Sequence, residues 1–324
     1  MKVTIIGAGA YSIALSFMFY ENTRDITIYS KVPEEIEVLK KYRKNDNYLK
    51  DIKIYDDIKL TTNLKDALDN TDLIVIGVAT KFVGSITQEI KEYYKNQPIL
   101  IASKGIDQNS LLFVSSIVKS IIKTDKIAVI SGPTFAIHLA MKETCGLSIA
   151  STDNQTMDFI ENLLANKYLK LRKTNDVLGV EICGSIKNVL AIAAGILDGI
   201  NASDSTKAMF LTESLNDIRY LIQKLGGDGN TIMSYAGFGD FLLTCTSTSS
   251  RNFSFGKLIG KQTNKKEIDN YLDNNTIEGV YTLKALEVLL EKERIDLPII
   301  GLIHDIIFKD KSPKDILLFL KNKK

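Results

Sequence analysis

Short apolar segments alternate with helical stretches through the first half of the chain, and this alternation constrains the fold more than any other feature of the sequence. The strand-like segments are Val3–Ile6, Ile26–Tyr29, Leu73–Val78, Ile99–Ala102 and Ile127–Ile130. The stretches between them have the amphipathic period of helices. This order is typical of a parallel, doubly wound α/β sheet.

The second half of the chain has a different pattern. From about residue 177, long segments of helical period replace the short apolar runs: Val177–Leu197, Lys207–Leu225 and Thr282–Glu293. A chain of 324 residues is long enough for two domains, each with its own core. We therefore predict an α/β domain over residues 1–176 and an all-α domain over residues 177–324, which share a cleft.

Composition excludes several classes of protein. Lys and Arg total 41 against 39 Asp and Glu, a formal net charge of +2, so the charge balance does not favour nucleic acid as a partner. Hydrophobic residues make up 45% of the chain, which argues against disorder. The longest apolar run, Val189–Leu197, is far shorter than the roughly 20 residues that cross a bilayer. Because the N-terminus also lacks the features of a signal peptide, we expect a cytoplasmic protein without a membrane span.

The cysteines and histidines form no pattern of a disulfide or metal site. Cys145, Cys183 and Cys245 are odd in number and far apart, without a Cys-x-x-Cys pair, which fits a reducing compartment. His138 and His304 are the only histidines of the sequence. Since no third ligand accompanies them, we predict no metal site.

A Gly-x-Gly motif stands between the first predicted strand and the first predicted helix. Gly7 and Gly9 follow Val3–Ile6, and the helical run Ile13–Phe19 comes after them. In a Rossmann fold the first glycine permits a tight turn, and the second lets the backbone approach a pyrophosphate at the helix N-terminus. A lone motif of this kind is weak, and its place between strand and helix is what predicts a dinucleotide cofactor. Ser12 stands where a third glycine is usual, which predicts slightly wider packing of helix against strand.

The end of the second predicted strand bears on which dinucleotide binds. An acid there holds the 2′-hydroxyl of NAD, whereas a cation accommodates the 2′-phosphate of NADP. This chain has Ser30 and Lys31 directly after Ile26–Tyr29. The lysine favours NADP, or tolerance of both cofactors; the alternative is a solvated lysine on a surface turn.

One lysine stands out in the apolar helical segment of the second half. Apart from Cys183, Lys187 and Asp198 are the ionisable residues between Cys183 and Ile200. A lysine in such surroundings either extends to water from the edge of a helix or is desolvated. Desolvation lowers the pKa of a lysine and lets it exchange a proton with a carbonyl or hydroxyl group. Lys187 is therefore a candidate proton donor, with a snorkelling lysine as the alternative.

Other polar clusters complete a candidate site. Asp240 precedes a hydroxyl-rich tract that leads to Arg251 and Asn252, and such donors suit a phosphate. A helix cap at Asp240 and a surface arginine are the alternative. Ser103–Gly105 and Ser131–Ala136 follow predicted strands, at the carboxyl ends where open α/β sheets bind ligands. These clusters are in a position to converge on one cleft.

Taken in order, these motifs resemble those of the prokaryote-type NAD(P)-dependent glycerol-3-phosphate dehydrogenases almost from end to end. The matching segments are Gly7–Tyr11, Ser103–Ile106, Ser131–Ala136, Gly179–Val189, Gly237–Asp240, Thr244–Ser247, Ser250–Asn252 and Ile277–Thr282. The resemblance implies an N-terminal Rossmann domain and a helical C-terminal domain like that of 6-phosphogluconate dehydrogenase. It also implies NAD(P)H-dependent, reversible reduction of dihydroxyacetone phosphate to sn-glycerol 3-phosphate for glycerophospholipid synthesis, in a cytoplasmic homodimer.

The resemblance further implies roles for individual residues. Lys187 matches the family's proton donor, and Lys104 and Asp240 would join it as catalytic groups. The substrate would contact Lys104, Gly132, Thr134, Lys187, Asp240, Ser250, Arg251 and Asn252. The cofactor, NADP or NAD, would contact Gly7, Gly9, Ala10, Tyr11, Lys31, Lys104, Ala136, Arg251, Thr276 and Glu278. Asn188 and Thr244 would support these groups by hydrogen bonds.

The chain departs from the family pattern at several positions. The family usually has glycine at Ser12, arginine near Ser30 and Lys31, proline at Ala79, glutamate at His138, glycine and asparagine at Ser203 and Ser205, and an Arg-Gly pair at Glu213 and Ser214. The expected groups for proton transfer and phosphate binding are intact. The departures therefore bear mostly on cofactor affinity and loop geometry.

Two other functions fit the same two-domain pattern. A lysine-dependent β-hydroxy-acid dehydrogenase would need a partner for a carboxylate in place of one for a phosphate. A non-catalytic dinucleotide-binding sensor would bind the cofactor without turning over a substrate.

Overall fold

The computed structural model describes residues 1–323 as two compact units. Unit 1 comprises Met1–Lys104 and Val114–Val177, and unit 2 comprises Gly105–Phe113 and the chain from Leu178 onward. The division made from the sequence places residues 105–113 in the first domain. In the structure Ile106 forms a β-bridge with Phe113, and both side chains belong to the core of unit 2.

Unit 1 contains one open sheet. Within residues 1–323 its strands are β1 (Val3–Ile6), β2 (Ile26–Tyr29), β3 (Lys59–Thr61), β4 (Leu73–Ile76), β5 (Ile99–Ile101), β6 (Ile127–Ser131), β7 (Cys145–Ala150) and β8 (Leu169–Thr174). Their order is β3-β2-β1-β4-β5-β6-β7-β8, and every neighbouring pair is parallel except β6 and β7. The predicted doubly wound Rossmann sheet is confirmed.

Helices connect these strands. They are α1 (Ala10–Tyr20), α2 (Pro33–Tyr42), α3 (Leu64–Leu68), α4 (Thr80–Lys91), α5 (Val114–Ile122), α6 (Ala136–Ala140) and α7 (Asn154–Leu164). Local chemistry sets several of their starts. Pro33 occupies the first position of α2, where its missing N–H costs no hydrogen bond. The side chains of Asn63 and Asp153 accept hydrogen bonds from first-turn amides of α3 and α7.

The central strands are the ones that the sequence predicts. β1, β2 and β4 are buried at every residue, as the central strands of a parallel sheet covered on both faces must be. Sequence reasoning missed β3, β7 and β8. β3 is only 3 residues long, β7 is interrupted by Gly146 and Ser148, and β8 lies at the sheet edge with charged residues on its exposed face.

Unit 2 is helical, as predicted. Its helices are α8 (Val177–Gly199), α9 (Asp204–Lys224), α10 (Asp240–Thr246), α11 (Arg251–Gly260), α12 (Lys265–Asn274), α13 (Glu278–Glu293), α14 (Pro298–Phe308) and α15 (Asp315–Asn322). α8 has the length and hydropathy of a membrane-spanning helix, but its most apolar 18-residue window is entirely buried inside the protein. It is the central helix of the unit 2 core.

Helices α8 and α11 approach each other through glycines. A Cβ built at Gly195 would lie 2.0 Å from the carbonyl oxygen of Phe253, and one built at Gly256 would lie 1.9 Å from that of Ile192. Gly199 and Gly260 repeat the arrangement one turn farther along, with backbone atoms at 2.5 and 2.3 Å. The contact is thus made backbone to backbone, and it sets the spacing of the two helices.

Candidate active site

The turn between β1 and α1 has the conformation that a dinucleotide requires. Gly7 has φ +114°, and a Cβ there would lie 2.9 Å from the carbonyl oxygen of Gly77, so a side chain fits neither the backbone nor the space. Gly9 is the N-cap of α1, whose first turn contains no acidic residue and whose cap makes no side-chain hydrogen bond. A Cβ added at Gly9 would meet no atom of the described chain within 4 Å beyond its immediate neighbours. This open, uncapped helix N-terminus fits a pyrophosphate.

Ser12, which replaces the third glycine, is accommodated by Gly77. The Ser12 hydroxyl donates a hydrogen bond of 3.1 Å to the carbonyl oxygen of Gly77, and Ser12 is fully buried. A Cβ at residue 77 would lie 2.2 Å from that hydroxyl oxygen. The glycine in this contact thus lies after strand β4 and not in helix α1. The Ser12 hydroxyl occupies the space between α1 and Gly77.

We expect Gly77→Ala to lower the free energy of unfolding by about 1–3 kcal/mol, because the new methyl group overlaps the Ser12 hydroxyl. Ser12→Gly in the same chain removes that overlap, so the double variant should recover most of the loss in urea unfolding. Equal destabilisation of the single and double variants would contradict the pairing of these two residues.

Three of the expected ligand-binding residues of unit 1 lie together. The Tyr11 hydroxyl is 2.9 Å from that of Thr134, and the Lys104 ammonium lies 6.0 Å from the centre of the Tyr11 ring. Thr134 donates its backbone N–H to the carbonyl of Gly132 at 2.8 Å, in the turn that ends β6. Ala136 follows as the first residue of α6. The sheet thus brings residues from three separate motifs to its carboxyl edge.

The two residues after β2, Ser30 and Lys31, each contact a glutamate from elsewhere in unit 1. The Lys31 ammonium contacts a carboxylate oxygen of Glu89 on α4 at 2.7 Å, and this pair raises the pKa of the lysine. The buried Ser30 hydroxyl donates to Glu35 at 2.5 Å and accepts the backbone N–H of Val32. Lys31 is therefore engaged with an acid that lies 58 residues away in the chain.

In unit 2, Lys187 is a buried ammonium held by two acceptors. Its Nζ donates to Oδ1 of Asp240 at 2.5 Å and to the Thr244 hydroxyl at 3.0 Å, while Thr244 donates its own proton to the backbone carbonyl of Asp240 at 2.6 Å. Lys187 is 8% exposed and Asp240 only 1%. Asp240 therefore binds the lysine instead of capping a helix. Burial raises the pKa of the neighbouring Cys245 thiol, which keeps it neutral.

A chain of amide hydrogen bonds starts at the next residue. Asn188 donates to Glu278 at 3.3 Å and accepts from Asn252 at 3.1 Å, and Asn252 accepts the backbone N–H of Gly279 at 2.9 Å. The network fixes the start of α13 and the start of α11 against the helix that contains Lys187. A Cβ at Gly279 would lie 2.5 Å from the carbonyl oxygen of Asn188, so glycine is required for this approach.

The start of α11 combines several groups of a kind that suits an anion. Ser250 caps the helix by accepting the N–H of Phe253 at 3.3 Å, and the first turn contains no acid. Arg251 is exposed at the first helical position and Asn252 is buried beside it. Thr276, which the resemblance assigns to the cofactor, is exposed two residues before α13. A helix N-terminus, a guanidinium and an amide together suit a phosphate dianion.

Comparison with known proteins decides the family. Residues 2–157 and 176–318 match the models for the N-terminus and the C-terminus of NAD-dependent glycerol-3-phosphate dehydrogenase. The chain belongs to this family. It is 33% identical to glycerol-3-phosphate dehydrogenase [NAD(P)+] of Fusobacterium nucleatum over all of this chain and 98% of that protein, and 32% identical to that of Staphylococcus haemolyticus over 97% and 96%. The crystal structure of glycerol-3-phosphate dehydrogenase from Coxiella burnetii matches with a TM-score of 0.93 at 28% identity, over 99% of each chain.

Some departures from the family pattern have local explanations in the structure. Glu213, at the position of a usual arginine, pairs with Lys323 at 3.3 Å, and Asp217 one turn farther along α9 contacts the same ammonium at 2.7 Å. Ser203 caps α9 by accepting the N–H of Thr206. Nothing in the structure explains His138, whose ring packs edge-on against a neighbouring aromatic ring.

Sequence reasoning missed the partners of several of these residues. Glu89, Glu35, Gly77 and Gly279 contribute to the arrangement described above, and none was a candidate. Their contacts join residues far apart in the chain, and the sequence contains no local signal for them. The glycine pairs of α8 and α11 do have a signal, since each pair is four residues apart on a helix.

Proposed function

We propose that this member of the glycerol-3-phosphate dehydrogenase family catalyses the NAD(P)H-dependent, reversible reduction of dihydroxyacetone phosphate to sn-glycerol 3-phosphate. The observation that carries the proposal is the buried pair of Lys187 and Asp240, joined at 2.5 Å. A buried ammonium that is held by a carboxylate is positioned to serve a reacting group.

Lys187 is the proton donor in this proposal. When bound, the reduced nicotinamide supplies a hydride to the ketone carbon. Negative charge then develops on the ketone oxygen, and the Lys187 ammonium donates its proton there. Asp240 and Thr244 orient the Lys187 side chain through their hydrogen bonds to Nζ. The family resemblance also assigns Lys104 to the catalytic groups.

The phosphate of the substrate is bound at the start of α11. Arg251 supplies a bidentate guanidinium, and Ser250 and Asn252 supply hydroxyl and amide donors. The family resemblance also assigns Gly132 and Thr134 to the substrate. A β-hydroxy acid has no dianion to match these donors, which favours the phosphorylated substrate over the rival dehydrogenase.

The cofactor is bound by the Gly7–Gly9 turn and by Ala10 and Tyr11 at the start of α1. The remaining proposed contacts are Lys31, Lys104, Ala136, Arg251, Thr276 and Glu278. Glu278 already accepts a hydrogen bond from Asn188, the residue next to the proton donor. The network thus links a cofactor contact to the helix that contains Lys187.

A substrate panel tests the proposal. Oxidation of NADH and of NADPH by the purified protein should require dihydroxyacetone phosphate and should not occur with a set of β-keto acids. Turnover of the acids alone would replace our proposal with the β-hydroxy-acid dehydrogenase. Cofactor binding without turnover of any compound would support the sensor.

We expect Arg251→Ala to raise KM for dihydroxyacetone phosphate about 10- to 100-fold, because a charge-assisted contact is worth about 1.5–3 kcal/mol. KM for the cofactor should rise as well if Arg251 contacts it. The control is Lys261→Ala, which removes a cation from the C-cap of the same helix and should leave both constants unchanged.

Unphosphorylated dihydroxyacetone sharpens the comparison. Its kcat/KM should hardly change in Arg251→Ala, since there is no phosphate to lose. A fall in kcat with unchanged KM for the phosphorylated substrate would contradict a phosphate-binding role.

We also propose that the enzyme works as a cytoplasmic homodimer, as the resemblance implies. Three free cysteines, two of them buried, fit a reducing compartment. Light scattering should give a mass about twice the 36.1 kDa of the chain. A monomer at micromolar concentration would contradict the dimer.

A further inference from the structure

The charged residues after β2 bear on which dinucleotide this chain prefers. This inference rests on the proposed function. In a Rossmann fold this strand end faces the ribose of the adenosine half, where NAD has a 2′-hydroxyl and NADP a 2′-phosphate. A 2′-phosphate needs an available cation or N–H donors there. A 2′-hydroxyl needs an acceptor.

The cation at this position is already paired. Lys31 Nζ lies 2.7 Å from Glu89 Oε1, and the lysine and glutamate side chains are 71% and 38% exposed. A phosphate that recruits Lys31 must separate it from Glu89. The separation leaves the Glu89 carboxylate beside a second anion.

The hydroxyl and amide donors are also engaged. Ser30 is buried, its proton is given to Glu35 at 2.5 Å, and it accepts the N–H of Val32, the residue before α2. That N–H is therefore directed at Ser30. The Ser30 hydroxyl, a donor of the kind that suits a phosphate, is thus used here to hold a carboxylate.

Glu35 accepts a hydrogen bond at each of its carboxylate oxygens. Its other carboxylate oxygen accepts the Tyr48 hydroxyl at 2.6 Å. Burial, together with the adjacent Glu35, raises the pKa of Tyr48 to about 12, so the tyrosine remains a donor at neutral pH. A carboxylate oxygen accepts more than one hydrogen bond, so Glu35 can also accept a hydrogen bond from the 2′-hydroxyl of NAD.

The charges at this strand end sum to a negative value. Lys31 faces Glu89, and α2 has Glu34 and Glu35 in its first turn. One lysine against three carboxylates leaves a net charge of −2. A 2′-phosphate, which is itself an anion, is repelled by this set, whereas a neutral 2′-hydroxyl is not.

We propose that this enzyme prefers NADH over NADPH, and that the Lys31–Glu89 pair and the Ser30–Glu35–Tyr48 hydrogen bonds set the preference. The sequence alone favours NADP or tolerance of both cofactors, because it shows Lys31 after β2 but not that Glu89 pairs with it. The pair converts an apparent phosphate-binding lysine into part of an acidic surface.

Titration of the intact protein with each reduced cofactor, followed by nicotinamide fluorescence, tests the proposal without turnover. The chain contains no tryptophan, so no indole emission overlaps the signal. Kd for NADPH should be at least about tenfold that for NADH at low ionic strength, and the ratio should shrink as salt screens the carboxylates.

Glu89→Gln tests the role of the pair. It frees Lys31 for the phosphate, so NADPH should bind about fivefold more tightly while NADH is unchanged. In the Lys31→Ala chain the same substitution should lose most of this gain. Glu92→Gln is the matched control, since it removes an equal charge from an exposed residue just after α4.

The outcomes separate the inference from the function. NADPH binding as tight as NADH binding in the unchanged protein would overturn the preference and leave the dehydrogenase intact. An equal gain in Glu92→Gln, or an undiminished gain without Lys31, would overturn the role of the pair. Binding of neither dinucleotide would contradict the proposed function itself.

Discussion

Lys187→Ala is expected to lower kcat for dihydroxyacetone phosphate by at least about a hundredfold, the usual cost of losing a general acid. KM for the cofactor should change little, because Lys187 serves the ketone oxygen. Stopped-flow measurement of NADH oxidation in a single turnover isolates the chemical step. A small primary amine should restore part of the rate, since it can replace the lost ammonium in the space that the variant opens.

The substitution also leaves Asp240 buried without its ammonium partner, and breaking a buried pair costs about 3–5 kcal/mol of stability. The double variant Lys187→Ala, Asp240→Asn removes the unpaired charge. It should regain stability in urea unfolding without regaining kcat. A double variant that regains both would show that the lysine has only a structural role.

A second control uses another lysine that binds α8. Lys257 contacts Asp198 near the C-terminal end of this helix at 2.8 Å and is partly exposed. Lys257→Ala breaks an ion pair to α8 and should leave kcat within about twofold, because Lys207 still contacts Asp198. A hundredfold loss in Lys257→Ala would show that any ion pair to α8 affects the rate. The loss in Lys187→Ala would then not indicate a role in proton transfer.

The fold was predictable because buried strands and helices have a regular spacing of apolar residues in the sequence. The five central strands are short, buried and mostly apolar, and α8 is a long, mostly apolar helical segment. The edge strand β8 alternates buried and charged residues over a short length, so it resembles a surface segment. Segment 105–113 contacts the core of unit 2 through Ile106 and Phe113. Such contacts do not change the spacing of apolar residues within the segment.

The site was predictable in part, for a related reason. An isolated lysine in an apolar helix is a local signal, so Lys187 stood out. Its partner Asp240 is 53 residues away, and the family resemblance implied only that both are catalytic groups. Lys31 shows the limit, since its local signal favoured NADP and the acid that pairs with it lies on another helix. A sequence shows the type of each residue, but it does not show which distant residue contacts it and alters its charge or hydrogen bonding.

Gly256→Ala is expected to lower the free energy of unfolding of unit 2 by about 3 kcal/mol or more, the upper range for overpacking. The new Cβ would lie 1.9 Å from the carbonyl oxygen of Ile192, and further backbone atoms of Ile192 lie within 3.0 Å. Because the clash is with backbone, no side-chain rotation relieves it. α8 and α11 must separate, and the hydrogen bond between Asn188 and Asn252 must lengthen.

Gly301→Ala is the matched control for this prediction. It makes the same change inside helix α14, where a Cβ would meet no described atom within 4 Å beyond its neighbours. Alanine is favoured over glycine in a helix by about 0.5–1 kcal/mol, so this variant should be as stable as the unchanged protein or more so. Urea unfolding followed by circular dichroism compares the two. Below its unfolding midpoint, Gly256→Ala should also have a raised KM for dihydroxyacetone phosphate, because our proposal places the phosphate donors on α11 and the proton donor on α8. Equal stability of the two variants would show that the helices can part without cost, and the close backbone contact would then not be what holds the site together.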